Sequence, residues 1–218
     1  VGCGWGGMAF EIAKQKDCEV TGISLSKNQI QYCKKKAKEL GLDNQVHFEL
    51  SDYREAKGTY DRIYSVGMFE HVGKKFYKVF FEAINKLLKE DGTFLLHTIG
   101  VVDKPTAPNK FINRYIFPGG ACPSFSQIIK PIEKTGLIVS DTETLIRHYD
   151  KTLESWLERF LAKKNEVKDL FDEKFVKMWE FYLTSCAAAF RYRDLAVFQL
   201  QIVKNFNSAK RTRDYIYS

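Results

Sequence analysis

No CxxC pair occurs among the five cysteines, Cys3, Cys18, Cys33, Cys122 and Cys186. An odd number without paired spacing argues against a disulfide scaffold and a zinc site, and for a reducing compartment. No apolar run approaches the roughly 20 residues of a membrane span, and no stretch reads as a signal peptide. Internal repeats and low-complexity tracts are missing too. The chain opens on Val1 rather than Met, one residue before a glycine turn, so it reads as a fragment with most of its first strand expected upstream. Acid is in short supply: 27 acidic against 34 basic side chains leave a net charge of +7. That excess suits an anionic membrane face or nucleic acid, and equally suits lysines that only solvate helix faces.

What is present is a soluble-type composition, 44% hydrophobic and 28% charged over 218 residues, enough for one domain with an insertion. The first seven residues, VGCGWGG, read as a strand tail, a glycine turn and a helix start. Gly2, Gly4 and Gly6 let the backbone take positive φ and let a ligand lie directly on it, while the next helix aims free N–H groups there. A nucleotide-like cofactor is the natural occupant. Helix and strand patterns then alternate. Met8 to Lys16 is a helix, and Glu19 to Ile23 a buried strand. A long helix follows with Ser26 as cap, Gln29 completing a capping box, a stripe of Ile30, Cys33, Ala37 and Leu40, and Gly41 as its end. Strands are expected at 47–50, 60–67 and 93–99, with a helix over 76–88 and a turn at Asp91-Gly92. The pattern predicts an α/β fold with a mostly parallel sheet and helices on both faces.

The rhythm breaks at 104–124, where prolines 105, 108, 118 and 123, the pair Gly119-Gly120 and three aromatics read as a functional loop or lid. Residues 124–135 look helical and 137–145 strand-like. Two helices over 150–162 and 173–190 form an insertion before a last strand at 196–203. The basic tail from 204 is expected to fray.

Ligands of open parallel sheets sit at strand carboxyl ends. Here those ends carry the glycine turn, Ser24-Leu25-Ser26, Asp52-Tyr53-Arg54, Gly67 to His71, and His97-Thr98-Ile99. A dinucleotide site wants an acid after the second strand, and the serines there weaken a plain NAD reading. Glu70 is a base or ligand-binding carboxylate, or a strand-end partner of a lysine. His97 is a functional imidazole or a hydrogen-bonded core residue. Cys186 shares a helix stripe with Trp179, Tyr182 and Phe190, as a buried core thiol or a catalytic one.

VGCGWGG, GISLSKNQ, SDYREAKGTYDRIYSVGMFEHVG, HTIG, YIFPGGACPS, HYDKTLESWLERF and MWEFYLTSCAAAFRYRD together resemble the cyclopropane-fatty-acyl-phospholipid synthases. That family also includes the mycolic acid cyclopropane synthases and related lipid methyltransferases. The resemblance implies a Rossmann-like class I methyltransferase of seven strands with a helical lid, its N-terminal part truncated. It implies S-adenosylmethionine held by Gly2, Cys3, Gly4, Trp5 and Gly6, by Ser24, Leu25, Ser26, Lys27, Asn28 and Gln29, and by Tyr53 and Arg54 at the adenine. It implies bicarbonate held by Glu70, His97, Ile99 and Tyr149, and a Cys186 matching a cysteine assigned to the active site.

The implied reaction adds a methylene to a cis double bond of a phospholipid acyl chain. The alkene attacks the electrophilic sulfonium methyl, and a carbocation forms on the chain. Bicarbonate then takes a proton from the added methyl, and the ring closes. Such a cation needs a dry pocket, where aromatic faces stabilise charge without capturing it. A related enzyme would instead leave a methyl-branched or hydroxylated chain. The implied setting is cytoplasmic and peripheral at the inner membrane face, on anionic lipid, with a homodimer possible and no nucleic acid partner.

Overall fold

The computed structural model describes residues 1–107 and 109–217; Pro108 of the loop and Ser218 of the tail lie outside the described residues. In chain order the elements are α1 (Gly7–Gln15), β1 (Val20–Ser24), α2 (Lys27–Glu39), β2 (Val46–Leu50) and β3 (Tyr60–Val66). After 3-10 turns at Phe69–His71 and Lys74–Phe76 come α3 (Tyr77–Leu87), β4 (Leu88–Val101), α4 (Lys110–Tyr115) and α5 (Phe125–Glu133). Then follow β5 (Ile138–Leu145), α6 (His148–Ala162), α7 (Lys164–Leu170), α8 (Glu173–Tyr192) and β6 (Leu195–Val203).

The α/β class is as expected, but the sheet is divided. β1 and β2 form a parallel pair, and a second sheet runs β3-β4-β6-β5. In that sheet β3 and β4 are parallel, while β6 is antiparallel to both β4 and β5. Parallel and antiparallel pairings are therefore balanced among the described residues, and six strands form rather than seven. Residues 1–3 lie between the two sheets: Gly2 and Cys3 donate their N–H groups to Ile23 O at 3.0 Å, and Val1 N donates to Tyr64 O at 2.7 Å.

Strand alternation divides the core. On β4 and β6, Phe94, Leu96, Phe198, Leu200 and Ile202 face α3 and α5, packing on Phe80, Phe81, Ile84, Ile128 and Ile132. Ile99 and Val197, of opposite parity, face α6 and α8 with Leu153, Leu183 and Phe190. The β1–β2 pair buries Val20, Val46 and Phe48 against α1 and α2. Helices thus cover both faces, as a mixed sheet requires.

Several local expectations change. Ser26 caps α2 by accepting from Gln29 N, but Gln29 does not return the bond. Its amide oxygen instead accepts from Ser24 Oγ at 2.8 Å, and Ser26 N donates to Ser24 Oγ. The reciprocal capping box forms at α5 instead, where Ser124 N donates to Gln127 Oε1. Leu40 leaves the buried stripe of α2. The turn at Asp91-Gly92 is absorbed into β4 as an irregularity between the Tyr60–Leu88 and Arg62–Thr93 pairs. α7 has no buried residue and so showed no apolar period; ion pairs Lys163–Glu166 and Lys168–Glu173 flank it. The tail does not fray: Arg213 and Tyr215 both bond Asp141 of β5, and Lys204 pairs with Glu90. Those partners lie far away in sequence, which no local pattern records.

Candidate active site

The glycine turn has the backbone it was expected to have, with φ of +74°, +56° and +81° at Gly2, Gly4 and Gly6. Gly2 and Gly6 are held by packing. A Cβ at Gly2 would meet Met68 at 2.7 Å, and one at Gly6 would meet Phe10 at 2.8 Å. At Gly4 a Cβ would meet nothing within 4 Å, so its left-handed backbone faces open space just before the N-terminus of α1. That opening is where a ligand lies against a main chain without side chains.

Neighbouring segments close around the turn. A Cβ at Gly22 of β1 would stand 2.9 Å from Cys3 Cβ, so β1 needs glycine there. Cys33 of α2 donates its thiol to Gly4 O at 3.5 Å. Burial pushes that thiol up to about 11, and Cys3 upward as well, so both remain neutral. Trp5 is exposed and meets Tyr32 edge-on. Leu25, Lys27 and Asn28 are exposed around the Ser24–Ser26–Gln29 network. Tyr53 packs edge-to-face on Phe80, and Arg54 is chelated by both oxygens of Asp52. That pairing holds the Asp52 carboxyl below its ordinary range.

Beyond the end of β3, the edge of β4 loses its partner strand. Gly67 N still bonds His97 O at 3.0 Å, and then the Glu70 side chain takes over. Its Oε1 accepts from Ile99 N at 2.7 Å. Its Oε2 is buried and accepts no hydrogen bond of ordinary geometry among the described residues; the nearby Thr98 hydroxyl, which donates to Ile99 O, only favours the carboxylate. Glu70 is only 9% exposed, and burial pushes its carboxyl above the ordinary carboxylate range against the opposing Ile99 bond. Burial thus favours the protonated form relative to an exposed carboxyl, and in that form the O–H donates to an anion rather than repelling it.

Tyr149, in the first turn of α6, lies within reach of the charges of Glu70 and Cys186, and its phenol is pushed upward chiefly by burial. Its ring packs on Phe190 and Trp156. The next residue, Asp150, is 5% exposed and takes Arg191 of α8 in a two-pronged pair at 2.7 and 2.9 Å. This clamp seats α6 on α8 and so sets where Tyr149 stands. Cys186 is half-buried on α8 and its thiol is pushed up to about 11 by burial, far from the thiolate a nucleophile needs.

His97 stands two residues from Ile99 on the same strand face. Gln199 of β6, its cross-strand partner, places Nε2 3.1 Å from His97 Nδ1. An amide NH2 can only donate, so with this amide orientation Nδ1 accepts and the ring proton sits on Nε2. Burial lowers the imidazole below its ordinary value, so the ring is neutral. Among the described residues no hydrogen bond joins His97 to Glu70. Ile99, expected among the anion's holders, has its N–H committed to Glu70.

The structure thus brings Tyr149 within electrostatic range of both Glu70 and Cys186. His97 lies on the adjoining face position. Sequence reasoning missed Gln199 and the Asp150–Arg191 pair, and named Tyr182 only as a neighbour of Cys186. Gln199 had a signal, a polar residue inside the apolar run AVFQLQIV; the clamp, 41 positions apart, had none. The 104–124 segment folds over this region: Ala121 N donates to Glu70 O, Phe117 meets both His71 and Tyr182, and Phe111 meets Phe181. Among the described residues no helix is long and apolar enough to cross a membrane, and no three His, Cys, Asp or Glu stand together as a metal site.

A family profile described as mycolic acid cyclopropane synthetase matches residues 1–200. A cyclopropane-fatty-acyl-phospholipid synthase of Escherichia coli K12 is 40% identical over 211 residues, 97% of this chain and 54% of its own. The chain thus spans about half the length of that relative. A probable fatty acid methyltransferase of Pseudomonas putida is 36% identical over 94% of this chain and 54% of its own. The solved structure of a cyclopropane synthase from Mycobacterium tuberculosis superposes with a TM-score of 0.87 at 32% identity, over 93% of this chain and 75% of that one. A mycolic acid cyclopropane synthase complexed with SAH and CTAB gives 0.85 at the same identity and coverage.

Proposed function

The chain belongs to the mycolic acid cyclopropane synthetase family, and on that premise we propose that it serves S-adenosylmethionine-dependent methylene addition to a cis double bond of a phospholipid acyl chain. The observation that carries this reading is Glu70: a buried carboxyl with one oxygen pinned by Ile99 N–H and the other unpartnered, facing a shared field with Tyr149.

The cofactor's sulfonium supplies an electrophilic methyl. The open, left-handed backbone at Gly4 fits a cofactor lying across the turn, with Gly2, Cys3, Trp5 and Gly6 around it. Ser24 to Gln29 and Tyr53-Arg54 would bound its ribose and adenine ends. A bicarbonate held here would supply the base for the proton of the added methyl. The Tyr149 phenol and the His97 Nε2–H are neutral donors suited to hold that small anion, and the Glu70 carboxyl joins them when protonated. Neutral donors bind an anion without adding a second negative charge. Ile99 acts through Glu70 rather than by its own N–H. Cys186 is a wall of the pocket, not a nucleophile.

The acyl chain would run into the apolar cluster of α6, α8 and the 104–124 segment, where Tyr149, Trp179, Tyr182 and Phe190 present aromatic faces. Such walls exclude water and steady positive charge on the chain without reacting with it. The 104–124 segment and the 150–190 helices serve as its lid.

Methyl-labelled S-adenosylmethionine offered to vesicles of unsaturated phosphatidylethanolamine and phosphatidylglycerol, and in parallel to RNA, tests this. Label in the acyl chains as a ring supports it; label in RNA, or in the headgroup, overturns it. Similarity to a probable fatty acid methyltransferase keeps a methyl-branched product as the second reading, which mass spectrometry of the released acids separates from a ring.

A further inference from the structure

A second concavity, about 340 Å³, lies away from the glycine turn and is lined by Lys74, Lys75, Lys78, Lys130 and Lys134 together with Pro105 and the buried Tyr77. Two elements build it. The 3-10 turn Lys74–Phe76 and the start of α3 carry three lysines; α5 and its C-cap carry two, four residues apart on one helix face. α3 and α5 are locked side by side by their shared apolar core and by Asn85 Nδ2 donating to Thr135 O at 2.7 Å. The five lysines therefore line one concavity.

Carboxylates do not neutralise them. Lys78 pairs with Glu82, but among the described residues Lys74, Lys75, Lys130 and Lys134 make no salt bridge. The contrast with α7 and α8 is sharp: there Lys163, Lys164, Lys168 and Lys177 are all paired with glutamates. Apolar groups stand among the free lysines. Phe76 is 38% exposed beneath the Lys75 ammonium at 4.9 Å, and Val79 is 39% exposed. Cations framing exposed apolar side chains make a surface suited to the boundary between lipid headgroups and acyl chains.

We infer that this lysine face docks the protein on an anionic phospholipid surface. The inference deepens the lipid reading proposed above and rests on it for the identity of the surface. The site has a direct structural link to the chemistry. Tyr77 lines the lysine face, and its phenol lies within range of the charges of Glu70 and Cys122. Pro105 of the face opens the 104–124 segment that covers Glu70.

The test is co-sedimentation of the 218-residue chain with phosphatidylglycerol–phosphatidylethanolamine vesicles and with phosphatidylcholine vesicles, at low and raised salt. Wild type is expected to bind the anionic vesicles, more weakly as salt rises, and not the neutral ones. Each removed lysine is expected to weaken binding about five-fold, so Lys74→Gln, Lys130→Gln and Lys134→Gln together lower it by about a hundred-fold. Neutralising Lys163, Lys164 and Lys168 should change it little, although the net charge falls equally. Equal loss in both triple variants, or no loss in the first, overturns the assignment. So does binding that the first triple variant loses for short polyuridylate but not for vesicles. Sedimentation needs neither cofactor nor turnover. Lysine-dependent docking without methyl transfer would overturn the proposed activity alone, and methyl transfer with unaltered docking in the first variant would overturn this inference alone.

Discussion

Replacing Glu70 by glutamine separates its two oxygens. Glutamine keeps an acceptor for Ile99 N–H, which the wild type bonds at 2.7 Å, and places an NH2 donor where Oε2 has no partner. Alanine removes both. Leaving the buried Ile99 N–H unpaired costs about 1–3 kcal/mol, before any cavity term. For a chain of this size each kcal/mol lowers Tm by about 2–4 °C. Glu70→Ala is therefore expected to melt about 2–12 °C below wild type near pH 7. Glu70→Gln should melt within about 3 °C of it. The pH dependence adds a sign. Burial raises the folded-state pKa of Glu70, so its protonation stabilises the fold fully below the ordinary carboxylate value, and that stability is lost as pH rises through the folded value. Glu70→Gln deletes this dependence, so its stability relative to wild type should improve steadily as pH rises. Urea unfolding at several pH values, alongside the vesicle methyl-transfer assay, reads both effects. Activity should fall in both variants, because an amide cannot exchange a proton with a bound anion. A Glu70→Gln protein with wild-type turnover, or one as unstable as Glu70→Ala, would refute the reasoning.

Gly4→Ala should cost only about 1 kcal/mol of stability for its left-handed φ yet sharply weaken S-adenosylhomocysteine binding by calorimetry, since its methyl enters the open cradle. Gly2→Ala should be the less stable of the two because it strikes Met68 at 2.7 Å. Unchanged cofactor affinity in Gly4→Ala would remove the turn from the site. Asp150→Ala takes the two-pronged partner from Arg191, which keeps Glu154, and should lower the melting temperature measurably. Activity should fall with it as Tyr149 loses its seat, and turnover unaffected by the substitution would mean the clamp does not position that ring. Cys186, with a pKa of about 11, is thiolate in only about one molecule in ten thousand at pH 7. Cys186→Ser should keep turnover within a few fold, and iodoacetamide should label the cysteine slowly until pH nears 10. Loss of all turnover in that variant would restore a nucleophile to the mechanism.

Much of the framework was legible because it is local. Gly41 ends α2 and Ser26 begins it through bonds within one turn, and the apolar run AVFQLQIV foretold the last strand. The left-handed glycines of VGCGWGG declared a turn before any fold was known. The misreadings share a cause. Gln29 could satisfy either Ser26 or Ser24, and only the placed strand end chose Ser24. Asp91-Gly92 has turn chemistry, yet the register of β3 on β4 pulled it into a bulge. The tail looked unpaired because Asp141, which holds it, is over seventy residues away.

By itself the sequence determined the alternating α/β elements, the glycine turn, the basic charge and the candidates at the strand ends, since each depends on neighbours a few positions apart. Only the tertiary structure decided that the sheet divides and turns antiparallel, that Glu70 continues a ladder where β3 stops, and that Asp150 meets Arg191. It also decided that Gln199 selects the tautomer of His97 and that five lysines from two helical segments face one space. Those outcomes are contacts between distant segments. A chain encodes them only through the packing that brings the segments together.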